Sequence, residues 1–470
     1  PIVAVESGDE RRVLTLLLQL AMQQGLAFHE WRCTRGLESG GLAGTPRGSG
    51  QLTEPEALLA HIAATPGPAL YALCDFHPYL TGEPKLIRYL KDTALAHEHL
   101  HNTIVLVSHA LTVPPELGRL SARFSLRLPS DEELLGMIRA QAREWSERNG
   151  ARVRTDQRTL DRLVANLRGV SHADARLLIR HAIVADGAIT ESDIPEVNRL
   201  KFELLDAEGV LRFEYDTAEL ANVAGFENLK RWLGLRERAF LTAGADRPKG
   251  ALLLGVQGGG KSLAARAVAG FWGLPLLRLD FGTLYNKFYG ETERNLRNSL
   301  HQAEQMAPCV LWMDEIEKGV ATGQSDNATA QRVLSTLLTW MAENRKPVFI
   351  VATANDITSL PPELIRKGRL DEIFFVDLPD HVTRREVFRI HLGKRGLDAA
   401  AFELDRLADA TDGFTGAEIE QCVVSARYLA GARGAEVTDT VLLEAIDQTF
   451  PISVTRAESD TAGATGATSR

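Results

Sequence analysis

The sequence predicts an α/β protein of two tandem modules, each a parallel sheet followed by helices. Three observations predict it. Apolar runs of strand length alternate with amphipathic runs of helix length in both halves, the signature of parallel sheets with helical connections. "GVQGGGKS" at 255–262 stands between an apolar run and a helix-forming run, the setting a phosphate-binding loop requires. The phrase "VPPELGRLSARFSLRLPS" at 113–130 returns downstream as "LPPELIRKGRLDEIFFVDLPD" at 360–380.

The elements follow in order. Residues 2–6 read as a strand, 9–24 as an amphipathic helix and 26–32 as a second strand. The glycine-rich stretch 36–50 has no Lys-Ser/Thr pair after its glycines and reads as a flexible loop. A helix at 54–64, a strand at 69–76, a helix over 84–97 and a strand at 103–108 fill out a first α/β domain, 1–130. Residues 131–206 turn helical and read as a lid-like subdomain, and 207–217 read as a linker. Strands resume at 250–255, 275–280, 309–314, 348–353 and 373–378, within a second α/β domain over 218–379. Residues 380–454 are helical again, and the small, polar tail 455–470 is expected to be disordered.

Bulk properties narrow the class. A chain of 470 residues has room for two to four domains. Its net charge of −9 argues against a nucleic-acid coat. Cys33, Cys74, Cys309 and Cys422 form no C-x-x-C pair, so no zinc ribbon is expected and a reducing, cytoplasmic setting fits. The start "PIVAVESGDERR" lacks the basic end and long apolar segment of a signal peptide. No apolar run is long enough to predict a membrane span. His97, His99 and His101 read as a polar helix end rather than a metal site. The arginines of 139–154 are interleaved with Glu144 and Glu147 and read as a solvated face.

In the 255–262 motif, Gly255, Gly258, Gly259 and Gly260 let backbone N–H groups turn inward around a polyphosphate. The N-terminus of the next helix adds favourable partial charge. Lys261 is placed to reach the β- and γ-phosphates, and the Ser262 hydroxyl to bind Mg²⁺. In "CVLWMDEIEK" (309–318) an apolar run ends at Asp314, placed to hold the Mg²⁺ water shell. Glu315 beside it is placed to polarise an attacking water.

These two motifs, with "LANVAGFENLKRWL" (220–233), "VATANDITSLPPELIRKGRLD" (351–371) and "DGFTGAEIEQCV" (412–423), resemble the AAA subgroup of AAA+ ATPases over about 218–454. The resemblance implies a P-loop AAA+ module, a parallel sheet with a helical lid, that uses ATP and Mg²⁺. It implies that Asn355 is a sensor orienting the water with Glu315. It makes Arg366 and Arg369 arginine fingers that reach nucleotide bound by a neighbouring subunit. Val223 and Ala224 would flank the adenine, with Gly416 and Ala417 of the lid close by and Leu263 completing the nucleotide set. Such fingers imply a homo-oligomeric ring, most often a hexamer. "YNKFYGETE" (285–293) resembles AAA pore loop 1, with Phe288 gripping an extended polypeptide between Lys287 and Tyr289. A finer similarity, carried by residues 252–293, by "YALCDFHPYL" and by "SGDERRVLTLLLQLA", is to the uncharacterised plastid reading-frame ATPases and their bacterial relatives.

The first half matches the second weakly but in order. "ALYALCDFHPY" lies on "CVLWMDEIEKG", which sets Asp75 on Asp314 and Phe76 on Glu315. The first module is therefore expected to be AAA-like but degenerate. Its first strand runs into "SGDERR", with acids where a phosphate loop needs lysine and glycine, and like charge repels phosphate. Two unrelated α/β domains with generic patterning are the other reading. The function expected is an ATP-hydrolysing ring that remodels or threads a protein substrate, with adaptors unidentified. A nucleic-acid or ribonucleoprotein motor and a slow ATP-dependent switch are the rivals.

Overall fold

A computed structural model describes residues 1–40, 52–96, 99, 101–109, 111–184, 186–205, 210–215, 217, 223–242, 247–285, 292–320, 327–366 and 368–451. The chain divides into two compact units, Pro1–Gln141 with Val170–Ile179, and Ala142–Gly169 with the chain from Arg180 onward.

The first unit holds strands β1 (Ile2–Glu6), β2 (Ala27–Arg32), β3 (Gly36–Gly40), β4 (Ala69–Cys74), β5 (Asn102–Ser108) and β6 (Ser121–Ser125). They form one sheet in the order β3-β2-β4-β5-β1-β6. Every pairing is parallel except β2 with β3. One face packs Val13, Leu14 and Ala21 of helix Glu10–Gln24 against Val5, Phe28 and Val105. The other packs Leu58 and Leu59 of helix Pro55–Ala64 and Leu86 and Leu90 of helix Pro84–Leu95 against Trp31, Tyr71 and Ile104. With both faces covered, β4 is buried at all six positions, which is why it reads as an unbroken apolar run.

The glycine-rich stretch opens as a strand, not a loop. A turn closed by Arg35 N–H to the Arg32 carbonyl reverses the chain, and Leu37 then pairs with Trp31. Cross-strand pairing overrides the low strand preference of glycine. Residues 41–50 lie outside the described residues.

The second unit holds β7 (Leu211–Glu214), β8 (Gly250–Gly255), β9 (Leu276–Asp280), β10 (Cys309–Asp314), β11 (Val348–Ala354) and β12 (Glu372–Val376). Their order is β12-β8-β11-β10-β9-β7. β7 falls inside the expected linker and pairs antiparallel with β9, Phe213 opposite Leu277. The two sheets therefore share one plan. The last parallel strand pairs with the first, the first with the fourth, and an antiparallel strand closes the far edge. The twin Pro-Pro-Glu-Leu segments lead into equivalent strands, β6 and β12.

The register corrects one expectation. β4 ends at Cys74 as β10 ends at Asp314, and the next residues, Asp75 (φ +50°) and Glu315 (φ +47°), share the left-handed backbone. Asp75 thus stands in the place of Glu315 and Cys74 in that of Asp314. Phe76 is a core residue, 1% exposed, packed edge-on against Trp31.

Most of the helical stretch 131–206 packs within the second unit. Helices Gln157–Leu167 and Asp193–Leu205 belong there. Arg162 donates to the carbonyl of Gly273, which caps helix Lys261–Trp272. The Gly169 backbone lies so close to Gln305 that a Cβ would sit 2.5 Å from its carbonyl oxygen. The lid comprises helices His381–Gly393, Leu404–Ala410, Gly416–Ala432 and Asp439–Asp447 around Phe388, Leu407, Ile419 and Leu442. No described helix is long and apolar enough to cross a membrane. Among the described residues, none group as a metal site, His99 and His101 included; His97 lies outside them.

Lys201 is fully buried and donates to the carbonyls of Asn166 (2.8 Å) and Arg168 (2.6 Å) at the C-terminal end of helix Gln157–Leu167. Burial pulls its pKa down to about 7, opposed weakly by the Cys309 thiol. Lys201→Met takes the ammonium donor away from both carbonyls and should destabilise the protein by about 1–3 kcal/mol in urea unfolding at pH 8. Because the folded pKa lies below the unfolded one, Lys201 costs the folded state progressively less as pH rises from 7 toward 10.5. The stability gap between parent and variant should widen across that window. A gap that narrows with rising pH would count against a lysine held neutral.

Candidate functional site

The site lies at the carboxyl ends of the second unit's parallel strands, where such sheets bind ligands. β8 runs straight into the 255–260 loop. Gly255 cannot be replaced there, since a Cβ would lie 1.9 Å from the Val376 carbonyl oxygen of β12. Gly260, at φ +90°, caps helix Lys261–Trp272 in a conformation open to glycine. The Lys261 ammonium donates to the carbonyls of Gly255 (2.8 Å) and Val256 (2.7 Å), closing the loop beneath the helix N-terminus.

At the ends of β10 and β11, Asp314, Glu315, Thr353 and Asn355 form one network. Asp314 Oδ1 accepts from the Thr353 hydroxyl at 2.7 Å, and Asp314 Oδ2 pairs with Arg278 at 2.8 Å. Thr353 Oγ1 in turn accepts the Glu315 N–H at 3.0 Å. Asn355 Nδ2 donates to Glu315 Oε1 at 3.3 Å and to Glu317 Oε1 at 2.9 Å. Lys318 pairs with the other Glu315 oxygen, and this bond raises the lysine pKa. From the lid, Glu420 pairs with Arg395 (2.9 Å) and His391 (3.3 Å). Burial disfavours the Glu420 carboxylate, but the Arg395 bond, with His391 and Lys394 nearby, outweighs it and its pKa is lowered. Burial also outweighs Glu420 at His391, whose pKa falls.

Of these groups Asp314, Glu315, Thr353, Asn355, His391 and Glu420 face a cavity of about 1430 Å³ between sheet and lid. Ala224, Gly258, Gly259, Gly260, Lys261, Ser262, Leu263, Asp314, Glu315, Asn355, Gly416 and Ala417 all line it. Val223 is buried behind the wall, and Gly255 sits at the root of the loop. Arg366 is exposed and Arg369 half-buried, and neither lines this cavity. Lys287, Phe288 and Tyr289 lie outside the described residues. The donor set fits a nucleoside polyphosphate with Mg²⁺. A glycine-rich turn opens a twelve-residue helix, a lysine sits under it, and a hydroxyl and a carboxylate stand beside it.

On the sheet side four contributors were missed in the sequence, Thr353, Glu317, Lys318 and Arg278, and on the lid Glu420, His391 and Arg395 were missed too. Thr353 had a signal, because it lies two residues before Asn355 and strand alternation puts both on one face. Glu317 had none, since its partner is 38 residues away.

Comparison with known proteins matches residues 251–378 to the "ATPase family associated with various cellular activities (AAA)" and 401–445 to the "AAA+ lid domain". Residues 1–126 and 132–208 match the N-terminal and second domains of "SpoVK-like AAA ATPase". The chain is 35% identical over 393 residues to the "Uncharacterized AAA domain-containing protein ycf46" of Trieres chinensis, covering 82% of this chain and 78% of that protein. It is 33% identical over 228 residues to the "Cell division cycle protein 48 homolog" of Archaeoglobus fulgidus, 46% of this chain and 31% of that one. It is 35% identical over 243 residues to "ATP-dependent zinc metalloprotease FtsH 3" of Synechocystis, 48% and 39% respectively.

Among the described residues the first unit offers no equivalent loop after its first strand. Only Ser7, Gly8 and Asp9 separate β1 from its helix, and Asp9 caps that helix by accepting from Arg12 N–H at 3.2 Å. Lys261→Ala should therefore abolish all Mg-ATP binding by the full chain, and the parent should titrate with one site per chain. Calorimetry measures both, and residual binding in the variant would reveal a second site.

Proposed function

Because the chain belongs to the AAA ATPases and is an ATP-hydrolysing enzyme, we propose that it acts as a ring, of six subunits, that remodels or threads a protein substrate. The observation that carries the hydrolytic part is the bonded row Asp314, Thr353, Glu315 and Asn355 facing the Lys261 loop across one cavity.

In this reading the loop N–H groups and Lys261 hold the phosphates, the ammonium exchanging loop carbonyls for phosphate oxygens. Ser262 and Asp314 hold Mg²⁺, which neutralises charge on the transferred group. Glu315 takes a proton from the attacking water and Asn355 orients that water. Arg366 and Arg369 serve the site of the next subunit. Arg366 is exposed and off its own cavity, as a residue acting across an interface must be. Ala224, Gly416 and Ala417 bracket the base, with Val223 behind them. Phe288, between Lys287 and Tyr289, grips the polypeptide in the channel. One relative is by name an ATP-dependent protease, which favours protein over nucleic acid as cargo, as does the net charge of −9. The four free cysteines suit a reducing compartment such as the cytoplasm.

Glu315→Gln should bind ATP within a few-fold of the parent and lose about 10²–10⁴ in turnover. Arg366→Ala should also bind and lose about 10³ or more. Mixing the two should restore part of the rate, since each supplies what the other lacks. A mixed rate equal to the sum of the two alone would sink the shared site.

Phe288→Ala should keep basal turnover within about twofold, because it touches cargo and not nucleotide. It should lose the ability to unfold a tagged reporter protein. Stimulation by RNA or DNA that collapses with salt would favour the nucleic-acid motor instead.

A further inference from the structure

We propose that Glu317 is a positioning residue for hydrolysis, which fixes the end of the Asn355 amide that faces the attacking water. The inference rests on the roles given above to Glu315 and Asn355.

Glu317 lies in the short helix Ile316–Val320 that starts directly after Glu315. Its Oε1 accepts twice from one residue, from the Asn355 backbone N–H at 3.0 Å and from Asn355 Nδ2 at 2.9 Å. The same Nδ2 lies 3.3 Å from Glu315 Oε1. An amide set between two carboxylates can present only its NH₂ to them, because its carbonyl oxygen would face a second acceptor. Both amide hydrogens are thereby committed. Oδ1 becomes the outward-facing acceptor on a residue that lines the cavity.

That orientation has a chemical use. A water attacking phosphorus carries two protons. Glu315 takes one, and Asn355 Oδ1 can accept a hydrogen bond from the other, which aims the water lone pair at the phosphoryl group. A flipped amide would present donors there and lose this contact. Glu317 itself does not line the cavity. Its Oε2 is buried with no partner among the described residues. Burying an unpaired carboxylate oxygen is unfavourable, so packing alone does not account for a glutamate at this position. Glutamine would fit the same space, yet its own NH₂ could donate to Asn355 Oδ1 and favour the flipped amide.

The test uses the full chain, steady-state ATP hydrolysis, binding of a fluorescent ATP analogue and thermal melting. Glu317→Gln should lower kcat about tenfold or more, with KM, analogue Kd and melting temperature essentially unchanged. The double variant Glu317→Gln/Asn355→Ala should be no slower than Asn355→Ala alone, because Glu317 acts through Asn355. Wild-type kcat in Glu317→Gln while Asn355→Ala is slow would overturn this inference and leave the Asn355 assignment standing. A double variant slowed by the product of the two single effects would overturn it too. Wild-type kcat in Asn355→Ala would sink the sensor assignment itself. Should the glutamine variant fail to fold, Glu317→Asp carries the test. A fall in kcat at constant KM supports the proposal, and an unchanged kcat overturns it.

Discussion

One buried hydroxyl holds the acidic edge of the cavity together. Thr353, 1% exposed, donates to Asp314 Oδ1 and accepts from the Glu315 N–H. Glu315 needs that acceptor because its left-handed backbone takes its N–H out of the strand ladder. Such a backbone costs a non-glycine residue about 1–2 kcal/mol, and the bond helps to offset it. Asp314 needs the donor because its other oxygen is held by Arg278, whose guanidinium lies 4.6 Å over the Trp312 ring. Both acids are therefore oriented by neighbours on β9 and β11 before any nucleotide contact. A valine of the same shape would leave a buried carboxylate oxygen and an amide proton unpaired. Groups fixed in advance pay no reorganisation when charge develops.

What could be read from the sequence was what is decided locally. The phosphate loop was legible because its glycines answer a local demand, the left-handed backbone of Gly258 (φ +83°) and Gly260 (φ +90°). Asp314 was legible because a buried parallel strand shows as an apolar run that stops at an acid. Strands β3 and β7 were not, since each is an edge strand held by a partner's hydrogen bonds more than by its own residues. The helices of 131–206 showed apolar faces, but amphipathicity says that a face is buried, not against what. Lys201 illustrates the gap. A lysine in a helix reads as surface, yet this one ends under two carbonyls at the end of a helix some 35 residues earlier.

The two sheets follow one plan with different chemistry at their strand ends. Both turn the same left-handed corner after the third parallel strand, at Asp75 and at Glu315. In the first, β5 ends at Ser108, so His109 falls where Asn355 falls in the second. Ser108 Oγ lies 2.6 Å from His77 Nδ1, and Asp75 lies 4.0 Å from His109. The corner persists while its chemistry has changed. The decisive difference is at the first strand. Asp9 already places a carboxylate on the N-terminus of the first helix, and a helix end satisfied by its own anion has little left to offer a phosphate.

β8 carries responsibilities at both ends. Its carboxyl end becomes the phosphate loop. At its amino end, Asp371 Oδ2 accepts the N–H groups of Lys249 (2.6 Å) and Gly250 (3.1 Å). Lys249 Nζ reaches the carbonyl oxygens of Gly368 (3.0 Å) and Met341 (3.3 Å). The turn that bears Arg366 and Arg369 is thus fastened to the strand that bears Gly255. Six residues of strand span about 20 Å, and β8 lies buried between β11 and β12. A close-packed strand of that kind shifts as a unit rather than bending. On the ring reading, the loop that feels one subunit's phosphates and the arginines offered to the next site are joined by a single rigid element.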